Sequence, residues 1–338
     1  MEGPTEDTTE PDRGATERYL PSFEAPPAVA AKGNTFLSGL LHPSVTANSR
    51  LIVNIVRSVF RIQTERTKER ARSNKIELLP SVRELVQQSD CLLSIVPPRD
   101  ALATAQSVFS ATPSGAGTRK RPLYYLDLNA IAPSIATQTQ SLFGGNPNIV
   151  LIDGGIIGGV PYPKADSPTG WNCPSLIVSG PTKLPYTDLG RVLNIDHLTD
   201  QIGAASGLKM CFASTTKGFF ALAIQSFVTA DALGVLSPLR DYMMKYNAKT
   251  LEIADKGVIS MPPKAYRWVN EMQQIGTMMK ENGGFDTGLF DGVAEVYRVV
   301  AEDTELGQEQ PGQRVRGTTI DDVVKLMRSG MDGKRGLD

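Results

Sequence analysis

Histidine and cysteine are scarce in this chain of 338 residues: His42 and His197 are the two histidines, and Cys91, Cys173 and Cys211 are the only cysteines. With no C-x-x-C pair and so few histidines, neither a metal-ligand cluster nor a histidine-based nucleophilic triad can be assembled. The cysteines follow no disulfide framework and read as reduced thiols of an intracellular, cytoplasmic protein. An excess of one charge is also lacking. The formal net charge is −1, from 35 Lys and Arg against 36 Asp and Glu, and no dense basic block occurs, which argues against a nucleic-acid or membrane-surface partner. Arg66, Lys68, Arg70 and Arg72 are interleaved with Glu65 and Glu69, as on a solvated helix face. Long apolar runs are missing as well: the most apolar stretch, Gly218 to Leu236, is broken by Gln225 and Asp231 and falls short of a membrane span. Residues 1–13 are acidic and carry no apolar core, so no secretory signal is read there.

Hydrophobic residues make up 41% of the sequence, enough for a sizeable core, and the length suits two domains. Residues 1–32 are rich in Pro, Glu, Thr and Ala, the composition of a disordered tail. A βα alternation follows. RLIVNIV (50–56) reads as a strand and leads to a charged helix through Arg72. SVRELVQQS reads as a short helix, CLLSIVPP (91–98) as a buried strand, and 100–110 as a helix. LYYLDLN (123–129) is a strand, and a helix opens at Pro133, where proline is tolerated. Then comes NIVLIDGGIIGGVP (148–161), whose run Ile149–Ile152 reads as a strand covered on both faces and stopped abruptly by glycine. The glycines mark either a tight turn or a close approach to a ligand. This succession predicts an α/β fold with a doubly wound, mostly parallel sheet over 33–202. After SLIVSG the pattern changes. One long helix from Gly203 to about Val235 and further helical periodicity predict an all-helical region over 203–310, and 311–338 reads as a tail with a short helix.

Three strand ends point the same way: SIVPP at 94–98, DLNAIAPS at 127–134 and DGGIIGG at 153–159. A fourth element, GAASGLKMCFASTTKG (203–218), opens the long helix with small residues followed by Lys209. A helical lysine is ordinarily a solvated charge. Here Leu208, Met210, Cys211 and Phe212 are expected to surround Lys209, and desolvation then makes its amine a usable base. Thr216, seven residues on, shares its face, whereas Lys217 is expected to point elsewhere.

The ordered set of a strand ending in PP, D-x-N-x-x-x-P, D-G-G-x-x-G-G and G-x-A-x-x-x-K resembles the β-hydroxyacid dehydrogenase and 6-phosphogluconate dehydrogenase superfamily. KAYRWVNEMQQI and FDGVAEVYRVVAED are similar to its branch of phosphogluconate dehydrogenase-like proteins with a distinct helical C-terminal domain. The likeness covers about residues 66–308 and implies a Rossmann-like fold and an NAD(P)-dependent oxidoreductase of a 3-hydroxy acid or related small acid, with NADP or NAD as cofactor. It places Lys209 as the catalytic lysine and Asn129 beside substrate and nicotinamide. Gly158 and Gly159 fall on the pair whose backbone receives the substrate carboxylate, and Val96, Pro97 and Pro98 on the strand end that lines the cofactor. Two positions depart from the pattern: Ala213, where relatives commonly have asparagine, and Ile157, where they have serine. The resemblance also implies a first strand followed by G-x-G-x-x-G, and nothing from Met1 to Val56 supplies it, so the sheet reads as incomplete at its amino terminus. The alternative reading is therefore a cofactor-free remnant that serves as a dimerisation or ligand-binding module. A homodimer through the long helix is expected, because its apolar surface exceeds what a small domain covers.

Overall fold

The computed structural model describes residues 53–56, 79–159, 161–167, 170–309 and 314–335, all within one compact unit, Lys32–Asp338. The expected tail at 1–32, the start of the first strand and the charged helix through Arg72 lie outside the described residues.

Six strands lie side by side in chain order: β1 (Val53–Val56), β2 (Cys91–Ser94), β3 (Leu123–Asp127), β4 (Ile149–Ile157), β5 (Ser175–Ser179) and β6 (Ile195–His197). The first four are parallel, β5 runs antiparallel to β4, and β6 is parallel to β5. Parallel neighbours need crossover connections, and helices α1 (Val82–Gln88), α2 (Ala101–Ala111) and α3 (Pro133–Phe143) lie in those that lead to β2, β3 and β4. Their starts are written locally. Ser81 caps α1 through a hydroxyl that accepts from the Glu84 N–H at 3.1 Å, in the sequence pattern S-x-x-E. Pro133 opens α3 without a lost hydrogen bond.

Side-chain alternation sorts the strands onto two cores. Leu92, Leu123, Tyr125, Ile149 and Leu151 face α1–α3, while Cys91, Leu93, Leu126 and Ile152 face the opposite core, with Leu189 and Leu193 around α4 (Thr187–Val192). Burial on both faces explains why these strands read as continuous apolar runs. β6 and α4 escape such a reading. Ile195–His197 has three residues, none fully buried, and α4 buries only Leu189. The same holds for a two-residue pairing of Tyr162–Pro163 with Trp171–Asn172.

Beyond residue 203 the described elements are helical. They are α5 (Ala204–Ala232), α6 (Leu236–Ser260), α7 (Ala265–Gly283), α8 (Gly288–Arg298) and α9 (Ile320–Arg335), packed around Phe227, Trp268, Met272, Ile275 and Tyr297. The architecture is thus a mostly parallel α/β sheet followed by a helical region, the class read from the sequence.

One expectation is corrected. The strand that starts at Ile149 does not stop at Ile152; it continues for nine residues to Ile157. Its first half pairs with β3 from Ile149 to Asp153, and its second half pairs with β5 from Asp153 to Ile157. Gly154 and Gly155 are strand residues, bare because both sheet faces are crowded there. A β-carbon on Gly154 would lie 2.7 Å from the Leu128 side chain, and one on Gly155 would lie 2.6 Å from Cβ of Lys209. Glycine here permits close packing rather than a turn.

Candidate functional site

At the carboxyl edge of the parallel strands, alternate residues continue the face that carries α1–α3: Ser94 at the end of β2 and Val96 just past it, Asp127 at the end of β3 and Asn129 just past it, Asp153 and Gly155 on β4. Asn129 is buried and fully engaged. Its Oδ1 accepts from the Val96 N–H at 2.6 Å, and its Nδ2 donates to Asp127 Oδ1 at 2.6 Å and Ser94 Oγ at 3.0 Å. It therefore ties the ends of β2 and β3 together and fixes Val96. The other Asp127 oxygen has no hydrogen-bond partner among the described residues. Burial pushes this carboxyl up to about 7, against the lowering effect of the Asn129 bonds.

Asp153 joins the sheet to the long helix. Its Oδ2 accepts from Ser179 Oγ at 2.9 Å, Gly203 N–H at 3.0 Å and Ser206 N–H at 3.1 Å, while Oδ1 accepts from Ser206 Oγ. Burial raises this carboxyl, and the bonds from Ser206, Ser179 and Gly203 oppose the rise. A carboxylate at the first turn of α5 also meets the positive end of the helix dipole. Gly203, at φ 92°, admits Pro133 against the helix start. So anchored, α5 crosses the strand ends and lays Lys209 over the backbone of Gly155, two residues beyond the last β3–β4 pair.

Lys209 Nζ donates to Glu271 Oε1 of α7 at 3.1 Å, with side-chain exposures of 13% and 8%. Lys217 reaches Oε2 of the same carboxylate, and its ammonium also lies 4.7 Å from the centre of the Trp268 ring. This corrects two expectations. Lys217 does not point elsewhere: eight residues is a displacement of only about 80° around a helix, and two long side chains converge on one partner. Leu208, Cys211 and Phe212 do not enclose Lys209 either; they are exposed, and only Met210 is buried. Sequence neighbours on a helix face outward while the enclosure comes from β4 and α7. Burial lowers Lys217 to about 8, with Glu271 opposing and Lys209 adding to the fall. Burial alone would raise Glu271, but Lys217 and Lys209 bring it down to about 2. Burial and Glu271 push the Tyr297 phenol up, and its hydroxyl donates to the Lys217 carbonyl.

Glu271 was missed, and Lys217 was set aside. Their signal is a charge on an apolar stripe. Glu271 lies three residues after Trp268 and four before Ile275, both buried, and Lys217 lies four from each of Ala213 and Ala221, both buried. Gln274, one turn after Glu271, accepts from the Ala132 N–H at 3.2 Å and ties α7 to the loop after β3.

The remaining expected residues are dispersed. Thr216 is half-buried and its hydroxyl turns back to Phe212 and Ala213 carbonyls at 3.2 and 3.3 Å. Gly158 and Gly159 are exposed just past β4; Gly158 has φ 122° and its missing β-carbon makes room for Pro174 at 3.1 Å. Pro97 is exposed and Pro98 begins a 3-10 turn before α2. A groove of about 690 Å³ opens on the side of α5 opposite Lys209, between Pro133, Gly207, Cys211, Met278 and Asn282, and holds none of these residues. Gly115 and Gly117 lie in the loop before β3, at the amino edge of the sheet, with the Gly115 carbonyl held by Asn148 at 2.8 Å. No described helix is long and apolar enough to cross a membrane.

A mostly parallel sheet whose carboxyl edge is roofed by a long helix is a Rossmann-like architecture. Comparison with solved structures agrees at the level of fold. A conserved hypothetical protein of Sinorhizobium meliloti aligns over 88% of this chain and 94% of its own, at 17% identity and a TM-score of 0.56. A conserved protein of unknown function, described as structurally similar to 3-hydroxyacid dehydrogenases, aligns over 79% and 92%, at 24% identity and a TM-score of 0.52. The 3-hydroxyisobutyrate dehydrogenase of Mycobacterium tuberculosis, solved with L-serine, aligns over 82% and 99%, at 14% identity and a TM-score of 0.53. The model of a domain of unknown function, DUF1932, matches residues 230–300, from the end of α5 to the end of α8. No curated protein matches the chain in sequence.

Proposed function

We propose that the chain is an NAD(P)-dependent oxidoreductase of a 3-hydroxy acid or similar small acid, with Lys209 as the group that gives and takes the hydroxyl proton. The observation that carries this reading is Lys209 itself, a nearly buried lysine held on the bare backbone of Gly155 at the carboxyl edge, where open α/β sheets bind ligands. The fold shared with a 3-hydroxyisobutyrate dehydrogenase supports it. In this scheme the backbone N–H groups of Gly158 and Gly159 receive the substrate carboxylate, and Thr216 lines the helix beside Lys209. Asn129 acts at the nicotinamide end by fixing Val96, ahead of exposed Pro97 and Pro98. Lys209 would take the hydroxyl proton of the substrate, and a bound nicotinamide would supply the hydride acceptor. Ala213 and Ile157 leave fewer polar contacts, which favours a substrate less hydroxylated or bulkier than a simple 3-hydroxy acid. The division at residue 203 then separates a nucleotide-binding part from a helical part that completes the site through Glu271. Homodimerisation through α5 and a cytoplasmic location belong to the same proposal.

The residues fit the nicotinamide end of such a cofactor. The pyrophosphate end would follow β1, and no glycine occurs between Gly39 and Gly115. That gap favours the second reading, a cofactor-free ligand-binding or dimerisation module. Fluorescence titration of the full chain with NADPH separates the two: saturable binding supports the oxidoreductase, and none up to millimolar supports the module. A turnover screen with NADP⁺ and NAD⁺ against 3-hydroxyisobutyrate and bulkier 3-hydroxy acids then names the substrate.

A further inference from the structure

Glu271 is one carboxylate between two lysines that approach from points about two turns apart on a single helix, and all three side chains are at most 16% exposed. Two ammonium groups and one carboxylate leave a net positive charge with little water to disperse it, so the proton equilibria of the three groups are coupled. Each lysine competes for the carboxylate that stabilises the other's charge. The carboxylate is not free to turn away, because each oxygen has its own partner: Oε1 takes Lys209 at 3.1 Å and Oε2 takes Lys217. Lys217 is itself held in place by the Trp268 ring at 4.7 Å, and that ring packs edge-on against Tyr297 at 5.1 Å.

Resting on the assignment of Lys209 as the proton-transfer group, we propose that Lys217 is a positioning residue: by occupying the second oxygen of Glu271 it keeps the carboxylate aimed at Lys209 and weakens its hold on the Lys209 proton. Lys217 does not touch the reacting atoms in this scheme. Burial brings it to about 8, so it is a cation at neutral pH, where it both shares Glu271 and repels a second positive charge. The other groups whose charge bears on the cluster are Arg267 of α7, which adds positive field, and Tyr297 of α8, a phenol pushed up and therefore neutral across this range. Asp153 of β4 is turned to the first residues of α5 and is occupied there.

Opposite signs follow for two substitutions. Lys217→Met leaves Glu271 to Lys209 alone, so the rising limb of kcat/KM for alcohol oxidation moves to higher pH. Glu271→Gln removes the anion and moves the limb down. Lys217→Arg keeps the charge and restores a profile close to the parent's. A merely structural lysine gives losses without opposed movements.

The coupling is also readable in the unliganded full-length protein. With [ε-¹³C]lysine labelling, Lys217 should titrate near 8. In Lys209→Met, which removes the competing cation, its midpoint should rise, and in Lys209→Arg it should stay. A Lys217 midpoint indifferent to Lys209→Met, or superimposable pH profiles for Lys217→Met and the parent, overturns the proposal. Failure of the underlying assignment looks different: Lys209→Met then keeps the parent's rate and its rising limb, whatever the resonance shows.

Discussion

Lys209→Ala should cost about 10²- to 10⁴-fold in kcat, the usual contribution of a positioned proton-transfer group, while leaving folding and NADPH affinity nearly intact. The structure supplies the reason for intact folding: Glu271 keeps Lys217 as its partner, so no buried carboxylate is left unpaired. Loss of the fold in this variant, seen by circular dichroism, makes the lysine structural. Glycines test the packing beneath it. Gly155→Ala drives a β-carbon to 2.6 Å from Lys209 Cβ and should destabilise the protein by roughly 1–3 kcal/mol and displace the amine. Gly159→Ala meets nothing within 4 Å and should be silent in denaturant melts. Asp127 gives a pH prediction. Burial holds it in the folded state at about 7, above its ordinary value of 3.8, so between these the native state binds the extra proton. Stability should therefore fall as pH rises from about 4 to about 7, at up to about 1.4 kcal/mol per pH unit. Urea titrations of Asp127→Asn across that window should show the slope flattened.

Among the elements, β4 and α5 determine the site together. β4 changes partners at Asp153, from parallel β3 to antiparallel β5, and the same aspartate receives the first turn of α5. Asp153→Ala strands the Gly203 and Ser206 N–H groups and two hydroxyls, and should destabilise the fold by about 3 kcal/mol. Asp153→Asn retains one acceptor oxygen and should lose less in the same thermal or urea melts. If both variants melt like the parent, Asp153 does not anchor the helix. The contrast with α1 and α3 is instructive: Ser81 with Glu84, and Pro133, cap within a turn and are readable, whereas α5 is held from fifty residues away.

For the molecule as a whole, α5 carries both a buried side and an exposed apolar one. Its buried side packs into the helical core through Met210, Ala213, Ile224 and Phe227. Leu208, Phe212 and Leu222 remain on another side at 44%, 46% and 53% exposure, and their spacing places them on one stripe. Burying such a stripe in a second copy is the expected outcome. Sedimentation at micromolar concentration should show a species of twice 36.5 kDa, and Leu222→Glu should shift it to the monomer. A parent that sediments only at 36.5 kDa rules the dimer out.

Local composition and periodicity by themselves determined the α/β order and the helix starts at Ser81 and Pro133, because these follow from contacts within a turn or a pleat; the strands read through to Pro98 and Asn129 end at Ser94 and Asp127. Tertiary structure alone decided the length of β4, since its last four residues are strand only by pairing with β5. It also decided the partner of Lys209. Glu271 lies 62 residues away, on a helix whose sequence shows a misplaced carboxylate but not what it meets. Lys217 shows the limit most clearly: helical angle set it apart from Lys209, and a shared buried counter-ion, available only once α7 packs across α5, brought the two amines back to one site.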